Sequence, residues 1–230
     1  MNVPQRIINP SPGNWINERL LSTESNWAQV GSVVPTGFPR VVRVLHPADD
    51  GRSSWADVAA ASGRTVHPLV QWDSIAQDFD GNGRSEYDPS EGSIPEETLS
   101  EILRHCPADG DVMHAVWIGW GSWNELPDES TLMPGWGGRD YVLFRASKEP
   151  HMSWPGMNPF SRQSASLIWP SDCNWCIATE IDWDSTLVAG SDLLIEALLK
   201  DRDLEVFEVG YHDDLSQAGD VVNPRPPWVR

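Results

Sequence analysis

The chain reads as an α+β fold: a mixed or antiparallel sheet with several short helices and with loops rich in tryptophan, glycine and proline. Three observations predict it. Runs of strand length and runs at helical spacing follow one another without a regular βαβ alternation. Glycine and proline, 18 and 19 of them, punctuate the whole chain and favour short elements joined by many turns. Hydrophobic residues make up 40% of the 230, enough for a core that needs no disulfide staples.

The elements follow in order. Trp15, Ile16, Leu20 and Leu21 within 13–21 are spaced for a first short helix, and 41–45 is β-branched enough for a strand closed by His46 and Pro47. Ser54 precedes Trp55, Val58 and Ala59, with Asp57 in the first turn and Gly63 past the end, which marks a helix start and stop. Pro95 at a first-turn position, Glu96 and Glu97 behind it, and Leu99, Ile102, Leu103 and Cys106 at helical spacing give the clearest helix of the first half. Residues 112–120 are apolar on both alternating faces except for His114, as in a strand covered on both sides, and 141–144 is the next strand. Between and after them, 121–138 and 146–164 are irregular and long enough to be functional loops.

In the last third, 167–169 is a strand stopping at Pro170, and 175–183 alternates as another. Trp175, Ile177, Ile181 and Trp183 lie on one face of it, and Cys176, Ala178, Glu180 and Asp182 on the other. Residues 186–189 pair back as a hairpin, Ser191 caps a helix carrying Leu194, Ile195, Leu198 and Leu199, and 204–209 is a final strand. A single domain over 1–215 and an extended, proline-rich arm over 216–230 complete the organisation.

Composition restricts the partner. A formal net charge of −18, from 34 acidic and 16 basic side chains, repels phosphate backbones and anionic lipids, and no basic patch offsets it. Nucleic acid and membrane surfaces are therefore excluded as partners. The first residues lack a signal peptide's apolar stretch, no window approaches the ~18 apolar residues of a membrane span, and the three cysteines suit a reducing compartment better than a disulfide framework. A cytoplasmic protein is expected. Thirteen tryptophans must either fill a bulky core or line a contacting surface where the indole N–H finds a partner.

Several groupings are candidates for chemistry. Asp78, Asp80 and Asn82, with Gly83 at the sixth position, begin a calcium loop, and Glu86 is its nearest further ligand. The twelfth position is Pro89, where an EF-hand needs glutamate. Glu180, Asp182 and Asp184 alternate, so a strand continuing through them would project three carboxylates from one face, ~6.8 Å apart, to hold magnesium or manganese. Cys173 and Cys176 form a C-x-x-C that leads into a strand and not a helix, without a second Cys/His pair for zinc. His114, inside an apolar strand, is expected to be a core histidine. Trp120 and Trp123, flanked by glycine, together with Trp136 and Trp154 in the loops, are candidate contact residues for a partner.

The words Leu167-Ile-Trp-Pro170, Asp172, Trp175-Cys-Ile-Ala-Thr-Glu-Ile-Asp182 and 190–199, with Val44-Leu-His-Pro47 and Gln71-Trp72 upstream, resemble a family of uncharacterised bacterial proteins. The likeness spans most of 30–200 and implies no activity, cofactor or catalytic residue. Cys173, where the family carries arginine, and the Asp/Gly-rich insert around Asp78 depart from its pattern.

The sequence therefore points to a non-enzymatic, acidic protein-binding domain of the immunity type, taking a basic partner through carboxylates that rim tryptophan-rich loops. The alternatives are a divalent-metal enzyme using the 180–184 carboxylates with His114 or His46 assisting, and a glycan-binding module lined by indoles.

Overall fold

The structure is a computed structural model and describes residues 3–22, 27–49, 53–76, 87–135 and 138–224. Nine strands form one sheet: β1 (Gln5–Ile7), β2 (Arg40–Leu45), β3 (Val112–Trp117), β4 (Met133–Pro134), β5 (Asp140–Ala146), β6 (Leu167–Pro170), β7 (Cys176–Thr179), β8 (Ser185–Gly190) and β9 (Val206–Val209). The order across it is β1-β5-β3-β6-β7-β8-β2-β9, with β4 also on β5, and each of these pairings is antiparallel. Five short helices accompany it: α1 (Asn14–Arg19), α2 (Trp55–Ser62), α3 (Trp72–Ile75), α4 (Glu96–His105) and α5 (Asp192–Lys200). The fold is α+β, with the sheet on the antiparallel side of that expectation.

Both faces of the central strands are apolar, so both are covered. On one, Val112, Val116, Val142, Phe144, Ile168, Ile177 and Val188 pack against Leu99, Ile102 and Leu103 of α4 and Leu194, Ile195 and Leu198 of α5. On the other, Met113, Ala115, Leu143, Leu167, Trp169 and Leu187 lie under Ile16 of α1 and the irregular run bearing Val30, Val33, Val34 and Phe38. A third cluster, Leu45, Trp55, Ala59, Val70, Trp72 and Ile75, seats α2 and α3.

Helix ends follow the sequence signals. Ser54 and Asp57 form a capping box, and Gly63 closes α2 at φ 67°, in the left-handed region that glycine enters without penalty. The Glu205 carboxylate accepts from the first-turn amides of Trp55 and Ala56 at 2.7 and 2.9 Å, where the helix dipole favours a negative charge. Ser191 caps α5 by accepting from Leu194 N. Pro95, expected inside the first turn of α4, is instead its N-cap residue.

Buried indoles pin irregular segments to this frame. Trp55 donates to the His46 carbonyl at 2.7 Å, Trp72 to Asp88 Oδ1 at 2.8 Å, Trp154 to the Gln163 carbonyl at 3.0 Å and Trp175 to the Pro107 carbonyl at 2.6 Å. Each ring brings a large apolar area and also satisfies a polar group of a segment without ladder partners.

Two departures from expectation stand out. The alternation of 175–183 holds only to Thr179, because Ile181 and Asp182 turn the chain into β8. Trp183 then packs in the cluster of Cys176 and Ala178 rather than with Trp175 and Ile177. The arm expected from Ser216 is not extended over 216–224: Asp220 and Asn223 are buried, and Asp220 Oδ1 lies 2.8 Å from His67 Nε2. Burial pushes the Asp220 carboxyl up, but hydrogen bonds from Asn223, His67 and the Gln71 amide outweigh it and hold the group below its ordinary value. Residues 225–230 lie outside the described part.

The pins predict a contrast. Trp175→Phe, which leaves the Pro107 carbonyl unmet and a gap in the core, should lower stability by about 2–3 kcal/mol. Trp27→Phe at a half-exposed site should change it by less than about 0.5 kcal/mol. Urea unfolding midpoints at constant slope check both.

Candidate functional site

The best-built surface feature is a pair of interlocked loops. The 118–132 loop follows β3. The 147–166 loop leaves β5 beside Val112 and rejoins the sheet beside Ala115, crossing the face that α4 and α5 also cover. Backbone bonds lock the two together: Asn124 N donates to Gly156 O at 2.9 Å, Asn158 N donates to Ser122 O at 2.7 Å, and Trp123 bridges Met157. Gly156, at φ 90°, allows the turn that makes this approach. Asp128 accepts from the Ser130 amide and hydroxyl, which fixes the far end and holds its carboxyl below the usual range.

From this clasp two large apolar side chains point outward, Leu126 at 75% and Phe160 at 91% exposure. The same 118–132 loop carries Glu125, Asp128 and Glu129, all exposed, and no lysine or arginine.

The candidate tryptophans behave differently from expectation. Trp154 is only 4% exposed; it packs on Phe144 with ring centroids 5.1 Å apart, so it is a core residue and not a contact residue. Trp123 is half-buried and also stacks on Phe144, 6.5 Å away and 4° from parallel. Trp120 is half-buried edge-on to Trp117 at 5.7 Å. Trp136 lies outside the described residues. Indole is large enough that a sheet open above Phe144 draws it inward. Leu126 and Phe160, beside Pro127 and Pro159, are left outside. A sequence signal for these two exists only in hindsight: each stands alone beside a proline, without the periodic apolar neighbours of a buried residue.

The carboxylate row does not form. The turn at 181–182 separates its members, and Arg139 takes the place a cation would have held, pairing with both Glu180 and Asp182. Asp184 turns to Arg43 instead, at 3.5 Å. Among the described residues, no three His, Cys, Asp or Glu side chains converge to hold an ion. Arg139 and Glu180 line a small cleft that opens to solvent. Ser166 Oγ, buried and without a protein hydrogen-bond partner among the described residues, also lines this cleft, a site for one water rather than for a sugar ring. The calcium-loop residues Asp78, Asp80, Asn82 and Glu86 lie outside the described residues.

The remaining candidates are structural in their surroundings. His46 is fully buried; its Nδ1 lies 2.7 Å from the Ser90 carbonyl and its Nε2 2.8 Å from Thr186 Oγ1. A carbonyl can only accept, so Nδ1 carries the proton, Thr186 donates to Nε2, and Thr179 donates to Thr186 at 2.8 Å. Burial pushes this imidazole down to about 4. Arg43, also buried, donates to Ser185 Oγ and the Val70 and Pro68 carbonyls. Burial pushes its partner Asp184 up to about 6, with Glu91 and Asp73 adding to the rise and Arg43 opposing it. Burial raises both thiols of the C-x-x-C, and Cys173 sits at φ 53° in a turn.

No helix among the described residues is long and apolar enough to cross a membrane. Comparison with protein-family models, with curated proteins and with solved structures finds no match to this chain.

His46 and Asp184 pull stability in opposite directions with pH. The unfolded chain protonates His46 below about 6.5, whereas the folded one waits until about 4, so stability present above pH 6.5 is lost as pH falls toward 4. Asp184, raised in the folded state, holds its proton up to about 6; the folded state gains on this account as pH falls from 6 toward 4. Asp184→Asn removes the compensation. The variant's stability should fall more steeply than the wild type's between pH 6 and 4, by roughly 1 kcal/mol per pH unit, in urea titrations at each pH.

Proposed function

We propose that the chain is a non-enzymatic protein-binding domain of the immunity type, with the interlocked loops as its docking surface and a basic protein as its partner. The observation that carries this reading is the exposure of Leu126 and Phe160 on loops that are otherwise tied down. Large apolar side chains held out on a pre-ordered support lose little freedom on binding and are the type of anchor that supplies most of an interface's affinity. Glu125, Asp128 and Glu129 beside them, within a chain of net charge −18, supply the field that draws in and orients a cationic surface.

The reading moves the contact from the indoles to Leu126 and Phe160, with Trp123 and Trp154 beneath as the support. The word pattern that resembles the bacterial family maps onto β6, the turn after it and β7, where Trp169 and Trp175 are core residues. That segment supports shared architecture rather than a shared site.

The immobilised chain should capture from native lysate at low salt a protein that elutes as salt is raised. Phe160→Ser and Leu126→Ser should each weaken that complex by roughly tenfold or more, mainly through faster dissociation. Glu125→Gln with Glu129→Gln should slow association and flatten its salt dependence. Capture unchanged by all four substitutions overturns the proposal.

A further inference from the structure

We infer that the docking loops carry an acid-sensitive latch: His114 on β3 and His151 on the 147–166 loop, packed edge to face in one apolar cluster, release the loop when they take up protons. The inference rests on the proposed function only for its consequence, which is discharge of the partner in acid.

The geometry places the pair where the 147–166 loop crosses β3. The two imidazoles have centroids 5.4 Å apart and planes at 89°. Trp154 closes the cluster at 5.3 Å from His114 and 6.0 Å from His151. His114 is fully buried and His151 nearly so. Neither ring nitrogen of His114 meets the geometry of a hydrogen bond among the described residues, so a positive charge there would be poorly compensated. The residues directly opposite it in the ladder, Phe144 on β5 and Ile168 on β6, are uncharged. From the loop, His151 opposes its protonation, and the Ser147 carbonyl favours it weakly. Around His151, the Ser147 carbonyl and Glu149 favour the charged form against burial, and the Ser147 hydroxyl lies 3.5 Å from its Nε2. Lys148 is turned away to the Cys106 carbonyl after α4, where burial keeps the Cys106 thiol neutral, up to about 12.

Burial lowers both histidines, His114 to about 3, while a lifted loop returns them to an ordinary value of about 6.5. The lifted form therefore binds more protons below that pH, and acid selects it. The loop yields before the sheet does. β3 is bonded to neighbours on both sides, whereas the segment bearing His151 and Trp154 is held by scattered bonds such as Gln163 N to Met152 O and Asn124 N to Gly156 O.

Hydrogen exchange of the whole chain between pH 7.5 and 4.5, corrected for intrinsic rates, tests the latch without a partner. Amides of 147–163 should lose protection as pH falls below about 6.5, by up to roughly tenfold per pH unit for each histidine released, while β3 and β5 stay protected. His114→Leu should flatten this dependence. His151→Phe should do the same and serves if the first variant does not fold. A loop whose protection does not change with pH, or changes in both variants as steeply as in the wild type, or is lost only together with the sheet, overturns the latch. Failure to capture any partner at neutral pH counts against the proposed function alone.

Discussion

A sheet that is apolar on both faces must be covered on both, and the described residues offer five short α-helices with which to do it. α4 and α5 cover part of one face; the other lies under Ile16 of α1 and the run bearing Val30, Val33, Val34 and Phe38, which has no strand or α-helix of its own. Irregular backbone is a poor cover unless its amides and carbonyls find partners. On the α4 and α5 face and in the third cluster, where Trp154, Trp175, Trp55 and Trp72 sit, indoles resolve this conflict. One side chain fills the space that a helix would have filled and gives its N–H to a carbonyl or carboxylate of the covering segment. The high tryptophan content is thus first a solution to packing loops on a sheet. On the proposed function its bearing on recognition is indirect, through the packing of Trp123 and Trp154 on Phe144.

The buried polar groups serve the same end. Arg43 reaches through the sheet-edge cluster to the carbonyls of Pro68 and Val70 and tethers a segment that has no strand pairing. His46, Thr186 and Thr179 form a chain of donors in which each proton's position follows from the Ser90 carbonyl at its end. Such sets are sensitive because each member depends on the next; removing one partner strands a buried charge or carbonyl. Arg139 plays this role for the buried Glu180 and also pairs with the exposed Asp182, while Asp184 pairs with Arg43, and that is why a row of acids that resembles a metal site in the sequence is divided between two arginines in the fold.

Much of the fold was legible because local signals and tertiary packing agree. The Ser54 and Gly63 boundaries of α2, the amphipathic spacing of α4 and α5, and the two-sided strands β3 and β8 all stand close to where periodicity and capping place them. What was not legible depended on partners distant in sequence. β1 and β4 are too short to show a period and exist by pairing with β5. The four-residue α3 carries no such signal. The candidate site was half legible: glycine, proline and tryptophan flagged both loops, but which rings turn inward was decided by the position of Phe144 beneath them. The break after Thr179 was invisible for a related reason, since alternation persists in the letters of a turn after the strand has ended.

The outer strands of the sheet have a further consequence. β1, with three residues that are mostly polar, and β9, with four, of which Glu208 is held by Arg40 on β2, form the two ends of the order. Short, charged margins offer little template on which a second copy could extend the ladder. Backbone pairing between copies is thereby disfavoured at both ends of the sheet, and on the proposed function this leaves Leu126 and Phe160 available to another molecule.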